Sequence, residues 1–380
     1  MTIHWCGTGL SAIPGLRRLI AAGHNVTVWN RTPEKARAEV GDIASDIRAY
    51  SLEALTEALK SGDVAVSMLP ADHHVPIAQA CLARGAHFVS SSYIAPEMRA
   101  LDEAARERGL VLVNEVGLDP GLDHLMAHWL VSDYRKSKAY DGANVLSFTS
   151  YCGGIPAQPN AFRYKFSWSP LGVLKALRSP SRSLKNFTEL KVQRPWDAIS
   201  RYDAPLPKPE SFEVYPNRDS LPFIQDYRFD SDWKVKDFVR GTLRLNGWAD
   251  AWAPVFAEIE TLQGPEGEAR LKEMSAQFWR DNAYAEGEAD RVVLFVSLKA
   301  EKDGEAVYHK TWALDAQGDA RGTAMARLVS LPVSLAVESV QKREIPAGVH
   351  PAPHDPKLVE RWLEKVKGQA QYMAVVDHLS

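Results

Sequence analysis

Thr2-Ile3-His4-Trp5-Cys6-Gly7-Thr8-Gly9-Leu10-Ser11-Ala12 opens the chain as a short apolar run that passes straight into a glycine turn, and residues 12–22 continue it at helical spacing. A GxGxxA turn between a strand and a helix is a dinucleotide-binding fingerprint. Gly7 permits the tight turn, Gly9 lets the backbone approach a pyrophosphate, and Ala12 keeps helix and strand close. The helix start offers unpaired N–H groups to the anion, with Thr8, Leu10 and Ser11 completing the candidate cofactor turn.

Downstream the pattern alternates. Residues 25–29, 63–68, 86–89 and 110–113 read as further strands, and 33–40, 51–60, 76–83 and 96–108 as helices, with Thr32 and Ser51 as N-caps. That alternation predicts an α/β fold class: an N-terminal Rossmann doubly wound parallel sheet of five or six strands, with ligands at the strands' carboxyl ends. At the end of the second strand stands Asn30-Arg31-Thr32, where an NAD enzyme usually has an acidic residue. A neutral amide, a guanidinium and a hydroxyl suit a 2′-phosphate, so the residues favour NADP over NAD. Leu69 follows the strand at 63–68 as an apolar neighbour for the nicotinamide-side ribose. His73 and His74, adjacent and without accompanying carboxylates or thiols at ligand spacing, read as a solvent-facing helix start, and no metal is expected.

Two further strand ends carry polar chemistry. Ser90-Ser91-Ser92-Tyr93 is a hydroxyl-rich turn at the ligand edge, and Asn114 to His124 brings carboxylates, an imidazole and a Pro-Gly turn to the same edge. Asp123 reads as a helix N-cap, and Asp119, at the switch between two domains, as a substrate contact.

The bounds agree with a two-domain enzyme: 380 residues, 45% hydrophobic, with a formal net charge of -3 that gives no electrostatic footprint for nucleic acid or anionic membrane. The 3 cysteines, Cys6, Cys81 and Cys152, show no disulfide or zinc spacing and fit a reducing, cytoplasmic setting. No signal peptide is evident, and residues 328–340 are too short to span a bilayer. From about residue 145 the alternation gives way to a mixed α/β substrate domain with a strand at 145–151, a helix at 170–177 and a hairpin turned at Asp303-Gly304. It carries a short helical insertion, with apolar positions Trp252, Phe256, Ile259, Leu262, Leu271, Met274 and Phe278, broken at Gly264-Pro265-Glu266-Gly267. Residues 348–356 read as a linker and 356–368 as a last helix, and Pro332 would start or kink a helix over 323–340.

The segment Asn114 to His124 closely resembles a signature of the saccharopine dehydrogenase family, NADP-dependent and L-glutamate-forming. The resemblance continues in Ser150-Tyr151-Cys152-Gly153-Gly154-Ile155-Pro156, Tyr164-Lys165-Phe166-Ser167-Trp168-Ser169, Tyr215-Pro216-Asn217-Arg218-Asp219-Ser220 and Val239-Arg240-Gly241-Thr242-Leu243-Arg244. It implies a Rossmann NADP-binding domain at 1–120 and a substrate-binding and dimerisation domain at 121–322 with the insertion at 248–287. C-terminal helices at 323–380 then return to the Rossmann domain, and a homodimer is the assembly expected. The implied substrate is saccharopine, a small molecule with three carboxylates and an α-amino group. The implied reaction oxidises its secondary amine, or runs in reverse. Carried over residue by residue, the substrate contacts are Ser92, Tyr93, Asp119, Cys152, Gly153, Arg218, Thr242, Leu243 and Arg244. Ser91, Leu118, Asp119 and Trp168 join the cofactor set, while Asp119, Tyr93 and Cys152 are the candidate proton-handling groups, with Lys165 and His124 behind them. Other readings are a sister amine dehydrogenase, acting on carboxynorspermidine or on lysine at C6, and a non-catalytic NADP sensor; the sensor need not keep Asp119, Arg218 and Arg244.

Overall fold

The strand Ile3–Cys6 is buried at every position, as is Val64–Ser67, the pattern of a parallel sheet covered on both faces. The computed structural model describes residues 1–380. It opens with β1 (Ile3–Cys6), α1 (Ile13–Ala21), β2 (Val26–Asn30), α2 (Pro33–Val40), β3 (Asp46–Ala49) and α3 (Leu52–Ala58). Next come β4 (Val64–Ser67), α4 (His74–Arg84), β5 (His87–Ser90), α5 (Pro96–Arg99), α6 (Asp102–Glu107), β6 (Val111–Val113) and α7 (Leu122–Lys136). The middle of the chain gives β7 (Val145–Pro156), α8 (Pro170–Leu177), β8 (Ser181–Lys185), β9 (Thr188–Val192), β10 (Ser200–Ala204), β11 (Glu210–Pro216) and α9 (Pro222–Asp226). Then follow β12 (Lys234–Leu245), α10 (Trp248–Thr261), α11 (Gly264–Asn282), β13 (Asp290–Lys302) and β14 (Glu305–Gln317). The chain closes with α12 (Ala324–Gln341), β15 (Gly348–His350), α13 (Pro356–Lys367) and β16 (Tyr372–Asp377).

Two units result. The first is Met1–Leu125 with Ala326–Gln369, and the second Met126–Met325 with Ala370–Ser380. In the first, seven parallel strands run in the order β15-β6-β5-β4-β1-β2-β3. The order reverses beside β1, the switch point at which a doubly wound sheet opens a crevice. Helix α12 packs on α1: a Cβ added to Gly15 would lie 2.1 Å from the Ser330 carbonyl oxygen, and the Gly15 N–H donates to Ser330 Oγ at 2.8 Å. Only glycine permits so close a crossing.

The second unit is built on a mixed sheet, β10-β11-β12-β7-β13-β14-β16, with β8 and β9 attached beside β12. β7 pairs parallel to β12 and antiparallel to β13, and side chains alternate between two faces. One face packs Ile155, Phe212, Val214, Leu243 and Phe295 into a core. A second core gathers Tyr164, Phe166, Tyr215, Trp248, Trp252 and Phe256 with α10 and α11, and every apolar position expected of the insertion lies in it or packs against it.

Several sequence expectations change. The sheet of the first unit has seven strands rather than five or six, because β3, half-exposed and only 4 residues long, carries little apolar signal. The helix expected over 96–108 is two short ones, α5 and α6. The insertion breaks at Leu262-Gln263, and Gly264-Pro265 starts α11, where a proline costs nothing. The expected linker at 348–356 contains β15, paired to β6. The C-terminal segment is not helices alone, since β16 pairs with β14 in the second unit. Pro332 lies inside α12 and does not begin it.

Candidate functional site

The glycine turn of the first unit has the geometry that phosphate binding requires. Gly7 has φ +103, and a Cβ there would approach the Met68 carbonyl oxygen to 2.9 Å, whereas a Cβ on Gly9 would meet nothing within 4 Å. The Ala12 N–H returns to the Gly9 carbonyl, while the amides of Gly9, Leu10 and Ser11 make no hydrogen bond within the protein. Leu10 is exposed. Such a bare arc of amides before a helix fits a dinucleotide phosphate.

At the end of β2, Asn30 is spent internally: its amide nitrogen donates to Thr8 Oγ1 and its oxygen accepts from the Thr32 N–H at 3.2 Å. Asn30 therefore braces the glycine turn. Thr32 occupies the expected N-cap position of α2, although its side chain makes no cap bond. Arg31 is exposed and has no ion pair, so its guanidinium fork is open at the strand end. Leu69 lies against the glycine turn, its side chain 3.2 Å from where a Gly7 Cβ would stand.

The carboxyl ends of β5 and β6 meet through hydrogen bonds. Tyr93 donates its hydroxyl proton to Asp119 Oδ1 at 3.0 Å. The Ser92 carbonyl accepts from the Glu115 N–H at 3.0 Å, and Glu115 Oε1 accepts from the Ile94 N–H at 2.8 Å. Glu115 Oε2 lies 3.0 Å from His124 Nε2 in a buried pair. Ser91 abuts Gly117, where a Cβ would meet the serine Cβ at 3.0 Å, and Leu118 is buried. Asp123 is a residue of α7 and not its cap; it is fully buried and accepts from the Gly121 N–H at 2.7 Å. His74 also departs from expectation. It is buried at the first turn of α4, with Nδ1 2.8 Å from Ser67 Oγ and Nε2 2.8 Å from Ser92 Oγ. Burial lowers its pKa to about 4, with His73 beside it adding to the effect.

In the second unit the chemistry stands on strand faces. Thr242 pairs across the sheet with both Cys152 and Tyr215, so these three side chains share a face, with Arg240 and Arg244 two residues to either side of Thr242. Gly153-Gly154 continues β7, and Gly153 stands on the opposite face, where a Cβ would press on the Leu243 carbonyl oxygen at 2.6 Å. Leu243 likewise buries its side chain in the opposite core, so neither it nor Gly153 presents a side chain to the Thr242 face. Arg218 has φ +55 on an exposed turn after β11. Trp168 precedes α8 and donates from Nε1 to Tyr164 Oη at 3.3 Å. Lys165 is committed to Glu288 at 2.6 Å.

Arg244 is the unusual group. It is 5% exposed, and its guanidinium stands 4.8 Å from the ring centre of Tyr164, 5.6 Å from Tyr215 and 5.4 Å from Trp248. Nη1 donates to the Leu243 carbonyl, while Nε has no partner, and neither does the buried Trp248 Nε1. Glu213, opposite Arg244 in the ladder, gives both carboxylate oxygens to the Gly247 and Ala249 N–H groups at the start of α10. Aromatic faces offset part of the cost of a buried cation, each by roughly 1–2 kcal/mol. No carboxylate completes it. Burial pushes the Tyr215 phenol up, with the charge of Arg244 acting the other way.

Sequence reasoning assigned Arg240 no role, although it is 4% exposed on the same face with its guanidinium 4.0 Å from the Phe223 ring centre. The alternation Arg240, Thr242, Arg244 was the signal available. Tyr164 and Tyr215 entered only as members of the resembling motifs, and Trp248 only as the start of the insertion. No cluster of potential metal ligands occurs, and no helix is long and apolar enough to cross a membrane.

Comparison with known proteins covers both units. Residues 3–113 match the family model described as the saccharopine dehydrogenase NADP binding domain, and residues 117–371 the one described as the saccharopine dehydrogenase C-terminal domain. The chain is similar to the saccharopine dehydrogenase (NADP(+), L-glutamate-forming) of Schizosaccharomyces pombe, 31% identical over 320 residues that cover 78% of this chain and 67% of that one. It is 28% identical over 387 residues to the mitochondrial alpha-aminoadipic semialdehyde synthase of Bos taurus, covering 83% of this chain but only 41% of the longer protein. Among solved structures, apo saccharopine dehydrogenase (L-Glu forming) from Saccharomyces cerevisiae superposes with a TM-score of 0.83 at 25% identity over 99% of each chain. Homospermidine synthase from Legionella pneumophila, at 9% identity and a TM-score of 0.63, shares the fold alone.

Proposed function

The chain belongs to the saccharopine dehydrogenase family of NADP-dependent oxidoreductases acting on CH–NH bonds, and from that premise we propose that it interconverts saccharopine with α-aminoadipate semialdehyde and L-glutamate. In the oxidative direction saccharopine, NADP+ and water give the semialdehyde, glutamate, NADPH and a proton. NADP+, when bound, accepts the hydride from the carbon beside the secondary amine. The bare amides of Gly9, Leu10 and Ser11 hold the pyrophosphate, and the open fork of Arg31 takes the 2′-phosphate. Thr8 and Ala12 shape the turn, with Thr32, Leu69, Ser91, Leu118 and Trp168 as further cofactor contacts.

The observation that carries the reading is Arg244, a buried guanidinium whose carboxylate must come from outside the protein. Arg244 and Arg218 pair with substrate carboxylates, and Ser92 and Thr242 supply neutral hydrogen bonds. Asp119, held by the Tyr93 hydroxyl, accepts a hydrogen bond from the substrate amine and a proton as the amine is oxidised. Cys152 contributes a thiol beside Thr242. Most of the rate comes from orientation rather than from a dedicated base, and the same contacts serve both directions. For a cytoplasmic setting the support is narrower: no disulfide joins Cys6, Cys81 and Cys152, which suits a reducing compartment. The test is the absorbance change at about 340 nm, the NADPH band read in hydride transfer, when purified protein meets saccharopine with NADP and, separately, with NAD. Turnover with saccharopine that prefers NADP is expected. No turnover with either cofactor overturns the reading.

A further inference from the structure

The Ser92 backbone is fixed from both sides: its N–H donates to Ser90 Oγ at 3.1 Å and its carbonyl accepts from the Glu115 N–H at 3.0 Å. What remains to be set is the hydroxyl, and its neighbour is the His74 ring, 2.8 Å away at Nε2. The ring is itself immobilised, buried against the edge of Phe88, with Nδ1 2.8 Å from Ser67 Oγ. His74 is 6% exposed and Ser67 fully buried. A neutral imidazole has one N–H and one lone pair, so one serine must donate to the ring and the other accept from it.

The buried serine decides which. Ser67 Oγ has no hydrogen-bond partner except His74 Nδ1. If Nδ1 carried the proton, the Ser67 O–H would be a buried donor with nowhere to donate, which costs more than an idle lone pair. Nδ1 therefore accepts and Nε2 carries the proton, which it gives to Ser92 Oγ. With its oxygen engaged as an acceptor, Ser92 keeps its own O–H for a group outside the protein.

We propose that His74 is a positioning residue whose Nε2–H tautomer, enforced by Ser67, turns the Ser92 hydroxyl into an outward-directed donor that recognises a hydrogen-bond acceptor on the substrate, such as a carboxylate oxygen, and not its ammonium. The link to substrate rests on the function proposed above; the tautomer does not. Two measurements test it. In nitrogen NMR of histidine-labelled protein, His74 should show a protonated Nε2 and a bare Nδ1 at neutral pH, and Ser67→Ala should remove that preference. A protonated Nδ1 in the parent overturns the proposal. In kinetics, Ser67→Ala, His74→Ala and Ser92→Ala should each raise the KM for saccharopine about three- to ten-fold, the range of one hydrogen bond, with the KM for NADP nearly unchanged. His74→Ala added to Ser92→Ala should raise it no further, and additive effects show that His74 does not act through Ser92. A parent protein without saccharopine turnover overturns the functional reading and the link to substrate, while the NMR result still decides the relay.

Discussion

The two units place their chemistry differently. In the first, the central strands β1 and β4 are wholly buried and the candidate contacts lie at or just beyond the strands' carboxyl ends: the glycine turn, Arg31, Ser91 to Tyr93, and Asp119. In the second, Cys152, Thr242 and Arg244 stand within long strands, on one face of a sheet whose other face is core. A turn at a strand end is held by its own hydrogen bonds and can change at little cost to the sheet. A residue on a strand face is held by its neighbours' packing, so its functional and structural roles cannot be separated so cleanly.

The sharpest way to break this contrast is Arg244→Ala, which removes a buried guanidinium and leaves three aromatic rings around a hole. Truncating a group of this kind costs roughly 2–5 kcal/mol, so kcat/KM for saccharopine should fall about a hundred-fold or more. Arg218→Lys, on an exposed turn, should raise the KM by much less, because it keeps the charge and loses only the planar fork. Equal effects would remove the distinction between strand face and turn.

The pH dependence of stability sharpens it further. His74 has its folded pKa lowered to about 4, below the unfolded value near 6.5, so the unfolded chain takes up the proton first. Its contribution is complete above pH ~6.5 and is lost as pH falls toward 4, by roughly 3 kcal/mol in all. Chemical denaturation between pH 7.5 and 4.5 should show that loss in the parent and a shallower one in His74→Gln. His309, in the second unit, is also lowered to about 4 but is only half-buried, stacked 4.0 Å from His378, and its replacement should flatten the profile less.

Arg31→Ala should weaken NADP about ten-fold and leave NAD nearly unaffected, the loss of one charge-assisted contact. Cofactor-dependent initial rates measure it, and equal losses for both cofactors would turn Arg31 into a general surface cation. The smallest effect expected is that of Ser51→Ala. Ser51 accepts from the Ala54 N–H as the cap of α3, so its loss should lower stability by about 1 kcal/mol with kinetics unchanged.

The same contrast explains what could be read from the residues alone. Glycine turns, apolar strands and cap residues act through local geometry, so β1, α1, β2 and the Asp303-Gly304 hairpin turn were legible within a residue or two. β15 and β16 were not: three and six residues long, they become strands only because β6 and β14 offer them an edge. At the site, chain position pointed to Asp119 and the family resemblance to Arg244, but facing followed from neither. Leu243 lies beside Arg244 in sequence and on the other side of the sheet. His74 was misread because two adjacent histidines look solvent-exposed unless one knows that Ser67 and Ser92 wait at both ring nitrogens.

The return of Ala326–Gln369 to the first unit has a consequence for the order in which the protein comes into being. When the first 125 residues have been synthesised, they still lack the strand that covers β6 and the helix that fits against Gly15. Residues 126–325 of the second unit must emerge before residue 348 can supply that strand, and the second unit in turn waits for β16. During translation the nascent cofactor fold therefore carries an open sheet edge and a bare helix face for the length of two hundred further residues. A ribosome stalled anywhere in that interval would hold a protein incomplete in both halves, and a chaperone that shields strand edges would have its longest engagement there.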